Sequence, residues 1–201
     1  MGGLRVGLTG GLACGKSHVA RLLESYDAHV IHADELGHQT LLPDGEAYEP
    51  VIELFGRDIV MPDGLIDRHR LAGMVFGNPQ KLAQLNAIVH PAVHRLEHAI
   101  SKRILAADPE AIVVYEAAIL IEAGTYKHFD KLILVTCEEG QQIARAMARD
   151  SATREEVLAR IQRQLPLTDK RKYADYVIDT SGTREDTARQ TRVVYDALRA
   201  L

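Results

Sequence analysis

Gly10-Gly11-Leu12-Ala13-Cys14-Gly15-Lys16-Ser17 fits the pattern G-x-x-x-x-G-K-[ST]. Upstream, Leu4-Arg5-Val6-Gly7-Leu8-Thr9 reads as a short buried strand. Downstream, Val19, Ala20, Leu22 and Leu23 recur at helical spacing from Lys16 to about Tyr26. A strand, a glycine loop and a helix N-terminus together make an anion cradle. Backbone N–H groups wrap a β-phosphate, and the helix dipole adds positive potential there. Gly11, Leu12, Ala13, Cys14 and Gly15 would form the wall, Lys16 would reach the β- and γ-phosphates, and the Ser17 hydroxyl would ligate Mg²⁺. A chance glycine-rich turn is the alternative, and the flanking strand and helix argue against it. The stretch predicts a nucleoside triphosphate site.

Around this loop, 201 residues suit one domain with room for an insertion. A net charge of −4, aromatic residues at 5% and no Trp give no reason to expect nucleic acid as a partner. Cys14 and Cys137 are far apart in sequence and lack metal spacing, which points to a reducing compartment. Oxidation of Cys14 could block nucleotide binding, although a small residue that simply fits the loop is the plainer reading. The amino terminus runs from Met1-Gly2-Gly3 straight into the first strand, with no charged-then-apolar leader, no membrane-spanning run and no myristoylation pattern. The expectation is a cytoplasmic protein with no membrane partner, monomeric or weakly homo-oligomeric.

His29-Val30-Ile31-His32-Ala33-Asp34 reads as a second strand ending in a carboxylate, where open α/β sheets place their ligand crevice. Residues 35–42 and 47–55 read as helices, the second closed by Gly56, and Pro62-Asp63-Gly64 as a turn. Asp67 is expected to cap a helix running to Phe76. Leu82, Leu85, Ile88 and Val89 form one apolar stripe, and Val93, Leu96, Ile100 and Ile104 the next. Pro91 between them is expected to start a separate helix. Further strands are read at 111–116, 131–136 and 176–179, with helices at 138–150, 153–165 and 184–201. The predicted fold class is α/β of the P-loop kinase type: a five-stranded, mostly parallel sheet flanked by helices, with a helical substrate-binding insertion and a helical lid. Residues 1–34, 109–140 and 173–201 form the expected nucleotide-binding core, 35–108 the insertion and 141–172 the lid.

Arg145, Arg149, Arg154, Arg160, Arg163, Lys170, Arg171 and Lys172 crowd the lid segment, opposed only by Asp150, Glu155, Glu156 and Asp169. Arg145 and Arg149 share a helix face, and cations closing over ATP suit phosphoryl transfer. A solvated helix face with ordinary ion pairs is the alternative. Asp34 is the candidate base on an acceptor hydroxyl, against a role as helix cap. Glu116 stands where a Walker-B acid would, although Asp is usual there, and is read as a contact to a metal's water. His90, His94 and His98 lie four apart, but nothing nearby completes a zinc site. His90 is read as a helix cap or substrate contact, and His94 and His98 as solvated. Asp34-Glu35-Leu36-Gly37 matches a GTPase switch pattern, but no N-K-x-D accompanies it.

These motifs resemble the dephospho-CoA kinase family over essentially the whole chain. The carrying residues are Val6 to Gly11 running into Gly15-Lys16-Ser17, Ala33-Asp34, Asp67-Arg68 and Leu85-Asn86-Ala87-Ile88-Val89-His90-Pro91. They continue with Ile119-Leu120-Ile121-Glu122, Arg149-Asp150, Arg160-Ile161-Gln162-Arg163-Gln164, Lys172, and Ala174-Asp175-Tyr176-Val177-Ile178. The resemblance implies phosphorylation of the ribose 3′-hydroxyl of dephospho-CoA, with ATP and Mg²⁺ as cofactors. It implies Asp34 as base, Lys16 and Arg149 on the transferring phosphoryl, and Ser17 on the metal. Arg68 and His90 would bind dephospho-CoA. Arg145 belongs to the lid over ATP, and Thr180, Ser181 and Gly182 would lie near the adenine. Two departures stand out. His32 replaces the first acid of an Asp-Ala-Asp end to the second strand, and Ala13 replaces a loop glycine, so position 13 is not expected to need positive φ. Another small-molecule P-loop kinase, of nucleoside monophosphate or shikimate kinase type, and a regulatory NTPase are the competing readings.

Overall fold

A computed structural model describes residues 3–201; the reading of Met1 and Gly2 lies outside them. Strand β1 (Leu4–Gly10) is the middle of a five-stranded sheet of order β2-β3-β1-β4-β5. β2 is His29–His32, β3 Ile112–Glu116, β4 Lys131–Thr136 and β5 Tyr176–Asp179. β1 runs parallel to β3 and β4, and β4 runs parallel to β5. Continuous apolar strands are what a sheet covered on both faces requires; Val6, Leu8, Val114, Ile133, Val135 and Ile178 are buried accordingly. Because β1 is flanked on both sides, the loop that follows it opens at the centre of the sheet's carboxyl edge.

By contact the chain forms two units, one of residues 1–31 and 103–201, the other of residues 32–102. The first holds the sheet, α1 (Lys16–Ser25), α6 (Glu139–Asp150), α7 (Arg154–Ile161), α8 (Leu167–Lys170) and α9 (Arg184–Arg199). Val19, Ala20 and Leu23 of α1 pack in one core cluster with Val194, Tyr195 and Leu198 of α9. The second holds α2 (Ala33–Gln39), α3 (Tyr48–Phe55), α4 (Arg68–Val75) and most of α5 (Pro79–Ala107). Its own core is built on Val51, Ile52, Phe55, Ile59, Ile66 and Leu71. Among the described residues no helix is long and apolar enough to cross a membrane.

Helix starts follow local chemistry. The Asp67 carboxylate accepts from the Arg70 backbone N–H at 3.0 Å and caps α4, as expected. Thr153 with Glu156, and Thr183 with Asp186, form complete capping boxes on α7 and α9. Helix α1 differs: Gly15 stands at its N-cap, no side chain caps it, and its first turn carries no acid.

Three sequence expectations are corrected. The second strand ends at His32 rather than at Asp34, because Asp34 and Glu35 occupy the first turn of α2, where the helix dipole favours acids. His32, not Asp34, is that helix's N-cap. Pro91 does not start a helix. It lies inside α5, which runs unbroken for 29 residues. Its missing N–H and ring clash cost about 3 kcal/mol, but Leu85, Ile88, Ala92 and Val93 keep one apolar stripe in phase across it, and burial of that stripe wins. The helix read as 153–165 stops at Ile161, ahead of Pro166, whose ring disfavours helix in the residue before it.

Candidate active site

The loop after β1 turns on two left-handed residues, Gly15 at φ 84° and Ala13 at φ 54°. Positive φ at Ala13 overturns the sequence expectation. An L-residue there costs about 1 kcal/mol, and the loop's outside contacts must hold it. The Leu12 N–H donates to Gln164 Oε1 at 3.0 Å, and Gln142 Nε2 donates to the Leu12 carbonyl at 3.0 Å. Both sides of this residue are therefore gripped by side chains from distant segments. Gly11 is small for the same reason: a Cβ there would lie 2.4 Å from Gln142 Nε2 and 3.2 Å from Leu167 Cδ2.

The grip has a donor and an acceptor that are not interchangeable, so substitutions should separate it from bulk packing. Gln164→Glu keeps the acceptor and should retain near-wild-type KM for ATP. Gln142→Glu replaces the donor by a carboxylate facing a carbonyl, and should raise that KM by about tenfold, equivalent to roughly 1.4 kcal/mol. Equal losses in the two variants, measured by initial rates, would show that packing alone matters.

Lys16 Nζ lies 3.2 Å from the Gly11 carbonyl oxygen, folded along the loop. Burial pushes its ammonium below the ordinary lysine value, while the Glu116 carboxylate works in the opposite direction. The Ser17 hydroxyl donates to Glu116 Oε1 at 3.3 Å, so the acid ending β3 stands behind the hydroxyl that opens α1. These are hard oxygen donors of the kind Mg²⁺ takes alongside phosphate oxygens.

The loop after β5 closes on the same region. Thr180 Oγ1 donates to the Cys14 carbonyl at 2.8 Å. Arg145 donates to Thr180 Oγ1 at 3.0 Å and to its carbonyl at 2.9 Å. Ser181 Oγ accepts from the Glu138 N–H at 3.0 Å, and its carbonyl accepts from Gln141 Nε2 at 2.9 Å. Gly182 follows, packed close on Asp186. Arg145, Ser181 and Gly182 are thus gathered beside the phosphate loop. Arg149 is elsewhere engaged: its guanidinium makes two bonds to Asp150, at 2.7 and 3.0 Å, and Arg160 takes the same carboxylate at 2.6 Å. The two arginines hold the Asp150 carboxyl well below the usual carboxylate range.

Lys170, counted among the basic residues of the lid, is not at the surface. Its side chain is 0% exposed and its Nζ lies 2.7 Å from Glu122 Oε1. Glu122 also accepts from the Leu165 N–H at 3.2 Å. This pair pins the end of the basic segment one residue beyond Gln164. Removing one partner strands a buried charge, so Glu122→Leu should destabilise the protein by about 3–5 kcal/mol in chemical denaturation. A midpoint unchanged from wild type would mean that Lys170 finds solvent.

In the second unit, Asp34 is exposed in the first turn of α2, and Arg68 is the first residue of α4. Arg68 lines a cavity of about 360 Å³ with His38, Leu42, Met61 and Leu65 among its walls. His90 is exposed in the interior of α5, so it is not a helix cap. His98 is exposed too, whereas His94 is half-buried rather than solvated. Among the described residues no three His, Cys, Asp or Glu side chains gather as a metal ion would need.

Sequence reasoning missed Gln142 as part of this site, reached Thr180 only through the family resemblance, saw Glu122 and Gln164 only within family motifs, and read Lys170 as a lid cation rather than as the partner of Glu122. The partners of Gln142 and Gln164 lie 130 and 152 positions away. Neither spacing nor periodicity carries a signal over that distance.

Comparison with known proteins gives the same direction. The family model described as dephospho-CoA kinase matches residues 4–186. A protein of Aquifex aeolicus named dephospho-CoA kinase is 39% identical over 199 residues, covering 96% of this chain and 97% of its own. A solved dephospho-CoA kinase from Campylobacter jejuni superposes with a TM-score of 0.73 at 25% identity, over 98% of this chain and 97% of its own. A solved structure from Thermus thermophilus reaches a TM-score of 0.80 at 34% identity, over 98% and 99%.

Proposed function

The chain belongs to the dephospho-CoA kinase family, and from that premise we propose how its residues carry the family's reaction, the ATP-dependent phosphorylation of the ribose 3′-hydroxyl of dephospho-CoA to coenzyme A. The observation that carries the reading is the phosphate loop with Lys16 and the Ser17–Glu116 pair, inside a chain that matches the family model from residue 4 to residue 186. Residues 1–34, 109–140 and 173–201 act as the nucleotide core, 35–108 as the acceptor-binding insertion and 141–172 as the lid.

ATP lays its phosphates along residues Gly11 to Ser17, with backbone amides and the amino end of α1 as donors. Lys16 follows the charge to the γ-phosphoryl, and an approaching phosphate raises its lowered pKa again. Ser17, with Glu116 behind it, would hold Mg²⁺, which would supply neutralisation of phosphate charge. Arg145, already tied to Thr180, braces the loop at Ser181 and Gly182 against the adenine. Arg149 exchanges Asp150 for the phosphoryl as the lid closes. Arg68 and His90 bind dephospho-CoA, Arg68 through its anionic diphosphate. Asp34 orients the 3′-hydroxyl and takes its proton as the oxygen attacks the γ-phosphorus, and ADP leaves with the electrons of the broken P–O bond.

The test is ADP release coupled to an optical readout across a panel of acceptors: dephospho-CoA, nucleoside monophosphates, shikimate and none. Release dependent on dephospho-CoA, with the new phosphate at the ribose 3′ position by NMR, is the expected result. Acceptor-independent hydrolysis, or preference for another acceptor, would overturn the assignment.

A further inference from the structure

The two cysteines of the chain are 123 positions apart, and the sheet brings them together. Parallel pairing of β1 with β4 sets Gly10 beside Val135, so the loop after β1 and the residue after β4 leave the same edge. There Cys137 Sγ lies 3.2 Å from Cys14 Sγ, with both residues buried and both thiols free. One thiol stands in the wall of the phosphate loop and the other on the rigid end of the sheet. We propose that Cys14 and Cys137 form a site of oxidative modification, at which a peroxide closes an intramolecular disulfide that disables the phosphate loop.

The chemistry balances in two steps. The Cys14 thiolate attacks one peroxide oxygen, the O–O bond breaks, and a sulfenic acid and one water are formed. Cys137 then attacks the Cys14 sulfur. The S–O bond breaks, the S–S bond forms, and the hydroxyl leaves with the Cys137 proton as a second water. Two thiols lose two electrons and two protons, and one peroxide becomes two waters. The polarity of the pair suits this order. The Cys137 S–H donates to Cys14 and holds that thiol below its ordinary value against burial, with Lys16 helping, while the same bond and burial push Cys137 up. Cys14 is the attacking thiol and Cys137 the resolving one.

Bond formation draws the sulfurs from 3.2 Å to about 2.05 Å. Cys137 directly follows β4, and Cys14 belongs to the loop, so closing the bond pulls on the loop. Cys14 is followed by Gly15 and preceded by the left-handed Ala13, and its carbonyl is held by Thr180. A shift of about an ångström in a positioning element can cost about a hundredfold in rate.

The reduced full-length protein is treated with hydrogen peroxide, alkylated under denaturing conditions and mapped by mass spectrometry. The expected product joins the Cys14 and Cys137 peptides with the loss of two hydrogens. Turnover falls about hundredfold and returns with dithiothreitol. Saturating ATP with Mg²⁺ slows the linkage by holding the loop. Cys137→Ser and Cys137→Ala keep the reduced activity and form no link. With no resolving thiol, a second peroxide carries the Cys14 sulfenic acid on to a sulfinic acid that dithiothreitol does not reduce. The wild-type map decides the matter even if neither variant folds. Two alkylatable thiols after the peroxide is consumed, a link between two copies of the chain, or a linked protein with full turnover would overturn the proposal. The link is read by mass, so it stands apart from the assignment of the acceptor.

Discussion

Asp34→Asn should lower kcat by about a hundredfold or more, with ATP binding unchanged. The substitution keeps size and hydrogen-bonding reach but removes the capacity to accept a proton. Its position makes the result informative. Asp34 lies in the first turn of α2, behind the His32 cap, so the exchange leaves the capping residue in place. Glu35 remains in the same turn to favour the dipole, and the fold should lose only a few tenths of a kcal/mol. A variant with native circular dichroism, native nucleotide affinity by calorimetry and little turnover isolates the base. Activity within a few-fold of wild type would remove Asp34 from that role.

Lys16→Ala should be at least as damaging, and in a different way. Lys16 is the one lysine of the loop, held along it by the Gly11 carbonyl and faced by Glu116. Truncation removes a charge aimed where negative charge develops, a loss of about 3–4 kcal/mol in transition-state stabilisation. It also leaves the Glu116 carboxylate without its nearby cation, which should repel the triphosphate. Both kcat and the affinity for ATP should therefore fall, whereas Asp34→Asn moves kcat alone. Steady-state kinetics with ATP varied at saturating acceptor distinguish the two patterns. Wild-type turnover in the Lys16 variant would refute the central assignment.

Local signals in the sequence led to correct local structure. The glycine loop, β4 at 131–136, β5 at 176–179 and the Asp67 cap all follow from spacing, apolar runs and side-chain oxygens near helix amides. What failed was any feature decided by tertiary context. Pro91 obeyed its propensity rule on paper, but the burial of an in-phase stripe overrode it. Ala13 has no glycine's freedom, and is left-handed because Gln142 and Gln164 hold the adjacent residue. Lys170 looked like one more lid cation, yet it is buried against Glu122, a pairing that composition cannot reveal. The role at Arg68 rests on family resemblance alone, whereas Arg149 as a lid cation and His90 as a substrate contact are also read from helical spacing and charge, which do not name the ligand.

The bare start of α1 carries a thermodynamic consequence. Side-chain caps close α4, α7 and α9, each worth about 1 kcal/mol; α1, like α2, α3, α6 and α8, has none. On the proposed reading phosphate would supply a cap at α1, which would link nucleotide binding to fold stability. At a hundredfold excess over Kd, a ligand that binds only the folded chain adds about 2.7 kcal/mol, which should raise Tm by roughly 5–10 °C for a domain of this size. Inorganic tripolyphosphate, which lacks adenine and ribose, should supply much of that rise in differential scanning calorimetry. A Tm indifferent to it would mean that the amides of the loop are satisfied without phosphate. Otherwise, the nucleotide that this protein consumes is also what keeps its first helix from fraying.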